Sequence, residues 1–412
     1  TDLRALRAFV VNKFIRTKIT IAMTAANLPS LWTSTFTLLC IVQSLGYAQQ
    51  AMLNPTIPLY ITQLGGSPFV VGLAISSFAA TSVIARPFIG YWSDRWSECG
   101  VLAFGLLMLA ASMLLCFFPY VSMVLLANAL RGIGWAGVNA GGYALLARIA
   151  PASRRGEASG YYSGAQSTPT VLFPAVALWL LHAPFGGYNL VFTIMIALGL
   201  AGAGVCYFMS RQVPTVEHQA ESQPASLPWW RQIFSVAEQG VLLPAALMFC
   251  NQLSFPATTS FIVLYAREIG IDAIGSYFVV SGITSVLARP LLGRVSDRIG
   301  IGYSLVATFT LQSLALMLLV VASNLATILC AGVLYMLGMA IGGSATLIIA
   351  MKRATPERRG RFMASFSIAY PLGYGVGAFI TGSAVDMIGY AWTYALLAVL
   401  GSSGLALTIL NW

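Results

Sequence analysis

Residues 85–100 read ARPFIGYWSDRWSECG and residues 288–300 read ARPLLGRVSDRIG, one charged word written twice at an offset of 203. Around both copies the chain is apolar. Of its 412 residues only 8% are charged and 58% are hydrophobic, where a soluble globular protein carries about 25% charged residues. A water-soluble fold of this composition has too little polar surface to face solvent, so lipid is the expected solvent. The flanking apolar runs are long enough to cross a bilayer, which takes about 20 residues at 1.5 Å rise. Twelve such runs are expected, near 34–62, 68–92, 100–119, 121–147, 157–182, 188–209, 240–266, 272–295, 302–322, 324–350, 361–385 and 388–410. No strand alternation supports a membrane barrel. The six cysteines are scattered without metal or redox spacing, and they read as small apolar packing residues.

The net charge of +10 is explained by topology. All of the 22 basic residues except Arg131 and Arg267 fall in the N-terminal stretch or in loops on the same side of the membrane. Positive loops stay cytoplasmic, so both termini are expected in the cytoplasm, and no nucleic-acid partner is needed. Residues 1–31 read as an amphipathic cytoplasmic segment and 210–238 as a polar cytoplasmic linker. Two six-helix bundles, 32–209 and 239–412, lie on either side of that linker.

The duplication extends beyond the word. Leu59–Gly65 (LYITQLG) matches Leu264–Gly270 (LYAREIG), Gly72 matches Gly275, and Pro151–Gly156 (PASRRG) matches Pro356–Gly360 (PERRG). Four correspondences in the same order make the halves a parallel repeat of six helices. A six-plus-six repeat with Gly-x-x-x-Asp-Arg between the second and third helices resembles the major facilitator superfamily. Gly90, Asp94 and Arg95 fit its signature loop, Gly293, Asp297 and Arg298 fit the echo, and Arg131 with Gly134 resembles its fourth-helix motif. The pattern RPxxGxxSDR is similar to that of bacterial drug-efflux and sugar-efflux permeases. This resemblance implies an all-α membrane fold of twelve helices in the bacterial inner membrane, a small-molecule substrate, no cofactor, and action as a monomer. It also implies that Asp94 docks near Arg358 and Arg359, and Asp297 near Arg154 and Arg155, when the cytoplasmic side closes. Two departures stand out. WSECG replaces the usual basic cluster after Asp94-Arg95, and the fifth run lacks the Gly-Pro-x-x-Gly-Gly of antiporters.

All twelve acidic residues fall in loops or at run ends. No carboxylate therefore stands near a bilayer midplane, where proton-coupled carriers commonly keep one. Asp386 and His182, equivalent outer-end positions, are the proton-coupling candidates together with Arg131. Arg131 is the charge that lies within a run, about 15 Å deep at helical rise, and a charge there faces a cavity or a partner. In the first run Gln43, Tyr47, Gln50 and Asn54 share one helical face, which in lipid must point inward. Trp135 extends the Arg131 face. Gln252, Phe255 and Thr259 are the matching stripe of the seventh run, and Tyr335 and Met339 that of the tenth. Gln166 pairs with Tyr370, and Thr170 with Tyr374. These residues are expected to line one cavity with a polar, cationic N-terminal wall and an aromatic C-terminal wall. Pro169, Pro174, Gly373, Gly375 and Gly377 mark positions where helices are expected to bend.

A secondary transporter of a small amphipathic organic solute, working by alternating access and directed outward, is the leading reading. The resemblance implies proton coupling. A facilitator or importer of an organic anion held by Arg131 is the second reading. A polytopic enzyme or receptor lacks the intramembrane His/Asp/Glu cluster it needs, and no phosphate-binding loop implies ATP.

Overall fold

The computed structural model describes residues 30–95, 97–212, 240–272, 274–353 and 359–411, without the side chains of 94, 95, 152, 289–291, 293–298, 359–361 and 364. The expected N-terminal segment and linker lie outside these residues, apart from residues 30–31 and 210–212. The described chain is helical and holds no strand. Its helices are α1 Ser34–Gln63, α2 Pro68–Arg95, α3 Glu98–Leu114, α4 Val121–Ile149, α5 Arg155–His182, α6 Tyr188–Ser210, α7 Leu242–Leu253, α8 Ile262–Glu268, α9 Gly275–Ile299, α10 Ile301–Val320, α11 Leu325–Arg353 and α12 Arg359–Asn411.

Local chemistry sets the boundaries. Thr33 Oγ1 accepts the Phe36 N–H at 3.2 Å and Ser97 Oγ the Gly100 N–H at 2.8 Å, so each satisfies a donor the first turn leaves open. The words LYITQLG and LYAREIG end their helices alike. Gly65 and Gly270 take φ of 82° and 76°, and the next amides close back on Ile61 and Ala266 at 2.9 and 2.8 Å. A positive φ is free of strain only for glycine.

Among the described residues, nine helices are long and apolar enough to cross a membrane. Helix α1 is not one of these, because its glutamines and Asn54 lower its mean hydropathy. Helix α12 is 53 residues long, about twice a bilayer crossing, and it reverses at Gly389 (φ 78°). The seventh apolar run is not one α-helix. It breaks after Leu253, passes through a π-helical turn at Ala257–Phe261, and resumes as α8. Pro256, just before that turn, has no N–H to give the helix ladder. The expected bends at Pro169 and Pro174 are not breaks, since α5 is continuous through both. Gly373 and Gly377 are close-packing positions. A Cβ on either would sit 2.6 Å from the Phe249 carbonyl or 1.8 Å from that of Leu253.

Helices α1–α6 pack chiefly on one another, as do α7–α12. The two groups meet where α2 packs on α12, α5 on α9, and α1 on Ala257–Phe261 and α8. At the far end, where Gly65 and Gly389 turn the chain, a single apolar cluster draws from both groups, including Tyr60, Ile75, Phe261, Tyr277 and Tyr394. At the terminal end, where α1 starts and α12 finishes, the clusters separate. Leu39, Leu106, Leu145 and Tyr162 belong to one group of helices. Leu247, Phe309 and Ile349 belong to the other, as do Phe362 and Phe366.

Candidate functional site

The polar stripe of α1 reaches two neighbours. Gln43 is fully buried, donates from Nε2 to the Val138 carbonyl at 3.3 Å, and accepts from Gln166 Nε2 at 3.3 Å. Tyr47 donates to Asn139 Oδ1 at 3.1 Å, and its ring lies 4.7 Å from that of Trp135. The upper stripe therefore ties α1 to α4 and α5. Gly142 makes room for this junction, because a Cβ there would overlap Gln43 Nε2 and the Tyr162 hydroxyl. Farther along the helix the pattern changes. Gln50 keeps a buried Oε1 without a partner, as Gln49 does both amide atoms. Asn54 is half-buried.

Arg131 lies beneath this face and is 4% exposed. Its guanidinium sits 4.3 Å from the centre of the Phe78 ring, a cation–π contact. Nε and Nη1 are buried without a partner. One turn earlier, Asn128 gives its amide to the Val124 carbonyl and leaves Oδ1 unpaired. Among the described residues no acidic side chain pairs with Arg131. Among the described residues the ion pairs are Arg148–Glu98 and Arg154–Glu157, both 2.8 Å and both at the terminal end.

The facing wall satisfies more of its own polar groups. Tyr335 is fully buried and shares a 2.8 Å hydrogen bond with Ser254. Tyr277 donates to the Thr258 carbonyl at 2.8 Å. Thr259 turns back to the Phe255 carbonyl of its own helix, and the Phe255 ring packs 5.9 Å from Tyr374. Gln312 donates to Asn251 Oδ1 at 2.8 Å and to Met339 Sδ at 3.6 Å. Gln252 donates to Met248 Sδ at 3.9 Å and holds Oε1 unpaired. Tyr370 is 41% exposed. Thr170 is exposed and bonds within its own turn.

Of the proton-coupling candidates, Asp386 and His182 have defined partners, whereas Arg131 does not. Asp386 Oδ2 accepts from Ser67 Oγ at 2.7 Å and from the Phe69 N–H at 3.2 Å, which joins α12 to the start of α2. His182 Nδ1 meets the Leu178 carbonyl at 2.7 Å, so it donates there and closes the last turn of its own helix. Of the gating residues, Gly90 is described with open space where a Cβ would be. Arg154 bonds Glu157 and Arg155 is exposed. The side chains of Asp94, Arg95, Asp297, Arg298 and Arg359 lie outside the described residues, as do Gly293 beyond its place in α9 and Arg358 altogether. Arg86, from the opening word, lies within α2 rather than in a loop. It is half-buried, and its Nη1 donates to the Ser367 carbonyl and hydroxyl of α12, each at 3.0 Å.

Two groups of helices around a buried polar centre, joined at the far end by one apolar cluster, fit a multi-pass membrane transporter. The chain belongs to the Major Facilitator Superfamily, whose family model matches residues 39–352 and again 245–411. Its members are transporters, not enzymes. Over 370 residues the chain is 23% identical to the staphylopine export protein of Staphylococcus aureus, covering 89% of this chain and 93% of that one. It is 26% identical over 397 residues to multidrug resistance protein MdtG of Klebsiella pneumoniae, covering 91% and 93%. A point mutant of the nucleoside transporter NupG shares the fold, with a TM-score of 0.73 at 14% identity over 91% of this chain and 100% of that one.

Proposed function

We propose that this protein is a secondary transporter that exports a small amphipathic organic solute across the bacterial inner membrane by alternating access. In this reading α7 with α8 is one crossing and α12 is two. The chain then crosses twelve times as two six-helix bundles, joined by 210–238, with both termini cytoplasmic. The terminal end is the cytoplasmic one, and the protein stands open to the cytoplasm. One observation carries the reading: a single apolar cluster joins the bundles at the far end, while at the terminal end each bundle keeps its own. Two rigid bundles that share apolar surface at one end at a time are what rocking about a central site requires. The efflux relatives support the outward direction.

The acid census favours a second reading, a facilitator or exchanger of an organic anion held by Arg131. Among the described residues each carboxylate stands near a helix end, beside the Gly389 turn or in a loop, away from the mid-membrane position at which a proton-coupling carboxyl is commonly kept. Everted membrane vesicles test both. Saturable, protein-dependent accumulation that a protonophore abolishes supports proton-coupled export. Saturable exchange indifferent to the protonophore supports the anion reading. Flux that never saturates contradicts a single alternating site.

A further inference from the structure

We propose that the central site takes an organic anion with two separated acidic groups, one held by Arg131 and the other by Arg86. This substrate class rests on the transporter reading above.

Arg131 is the starting point. An arginine stays protonated in proteins, and a buried cation without a counter-charge is strongly unfavourable. Its Nε and Nη1 are buried and unpartnered. The groups within electrostatic reach are the Tyr374 phenol and the Cys116 thiol, both neutral. Phe78 supplies a ring face, which offsets only part of the cost. Among the described residues, the one acidic residue well inside a helix is Asp386, three residues before the Gly389 turn of α12, and its carboxylate is held by Ser67 and the Phe69 N–H. Among the described residues the guanidinium has donors without an anion to receive them, and a carboxylate is an acceptor that forms charge-assisted hydrogen bonds with arginine.

Arg86 supplies the second cation. Two hydrogen bonds to Ser367 fix one of its nitrogens on the opposite bundle. Among the described residues the titratable groups facing it are Tyr47, Tyr143 and Tyr370, again neutral phenols. The spacing of the two cations follows from the helices that carry their neighbours. Phe78 and Arg86 are eight residues apart on α2, about 12 Å of axial rise, and Tyr374 and Tyr370 are four apart on α12, about 6 Å. A ligand with acidic groups about 6–12 Å apart spans both arginines. Because Arg86 also bonds α12, a ligand held by both arginines draws the two bundles to one molecule.

The test uses the purified full chain in detergent, with thermal stability and calorimetry against suberate, octanoate, hexyl phosphate and tetraphenylphosphonium. Suberate is expected to bind best. Arg131→Gln should weaken it by more than about a hundredfold, as expected for truncating a buried charge pair, and Arg86→Gln by about tenfold. Arg131→Gln should also raise the melting temperature of the ligand-free protein, because it removes an uncompensated charge. A lower ligand-free melting temperature would mean that Arg131 is satisfied within the protein, and would overturn the proposal. Equal binding of octanoate and suberate, tighter hexyl phosphate, or preference for tetraphenylphosphonium would overturn it too. Binding in detergent needs no transport, so failure here leaves the transporter reading standing. Failure of the vesicle assay leaves the binding result standing.

Discussion

The two ends of the molecule are held by different physics. At the far end backbone meets backbone: Gly72 of α2 lies so close to α12 that a Cβ would stand 2.6 Å from the Ala378 carbonyl, and Gly382 likewise faces Pro68 and Gly72. Asp386 then accepts the hydroxyl of Ser67 and the N–H of Phe69, at a helix start where Pro68 has no N–H of its own. Toward the terminal end the described polar link between the bundles is Arg86 to Ser367, and the apolar clusters no longer merge. Contacts inside a bundle are as tight as those at the sealed end. Gly105 would put a Cβ 2.5 Å from the Val138 nitrogen and 2.7 Å from the Gly134 carbonyl. Tightness alone therefore does not mark what moves. In the proposed rocking motion the surfaces to separate are those between bundles, where small residues pack and, among the described residues, few hydrogen bonds would have to break.

The largest expected effect breaks a bundle rather than the seal. Gly105→Val overpacks α3 against α4 and should cost about 3 kcal/mol, seen as lost yield or a sharply lower melting temperature. Gly72→Val introduces a similar clash between bundles, and the bundles can part to relieve it. Its signature is a rise of about tenfold in labelling of a cysteine placed at Leu64, with little change in melting temperature; a collapse of stability instead would mean that the far end is part of a fixed core. Asp386→Asn weakens a solvent-exposed charge-to-helix contact by about 1 kcal/mol. That should raise the same labelling about fivefold, and Ser67→Ala should do less. Tyr335→Phe removes the bond to Ser254 within one bundle and should cost about 1 kcal/mol of stability, leaving the labelling unchanged.

Much of this architecture was legible in the sequence, because lipid leaves the backbone few options. The first six apolar runs and the eighth to tenth match described helices to within a few residues, the seventh is broken and the last two fall within α12, and Gln43 of the α1 stripe is buried. Four features were not legible, each for a physical reason. The π-helical turn at Ala257–Phe261 is a local register change that hydropathy does not register. Gln49 lies off the helical face that the stripe defines, so periodicity passes over it although it is 1% exposed. Arg86 belongs to a conspicuous charged word, and that word drew the reading to the terminal-end loop. Its guanidinium instead crosses to Ser367 on the other bundle. The seal at the far end was equally hidden, because it is written in Gly72, Ala378 and Gly382, residues with no charge pattern to notice.

The central claim is that the two ends open in alternation. Spin labels on a cysteine-free background test it through two pairs, Tyr161→Cys with Met351→Cys at the terminal end and Phe185→Cys with Val321→Cys at the far end. All four positions are exposed. Measured in nanodiscs with and without Gly72→Val, the account predicts changes of opposite sign: the far-end distance lengthens as the terminal-end distance shortens. Both distances lengthening together, or neither changing, would contradict it.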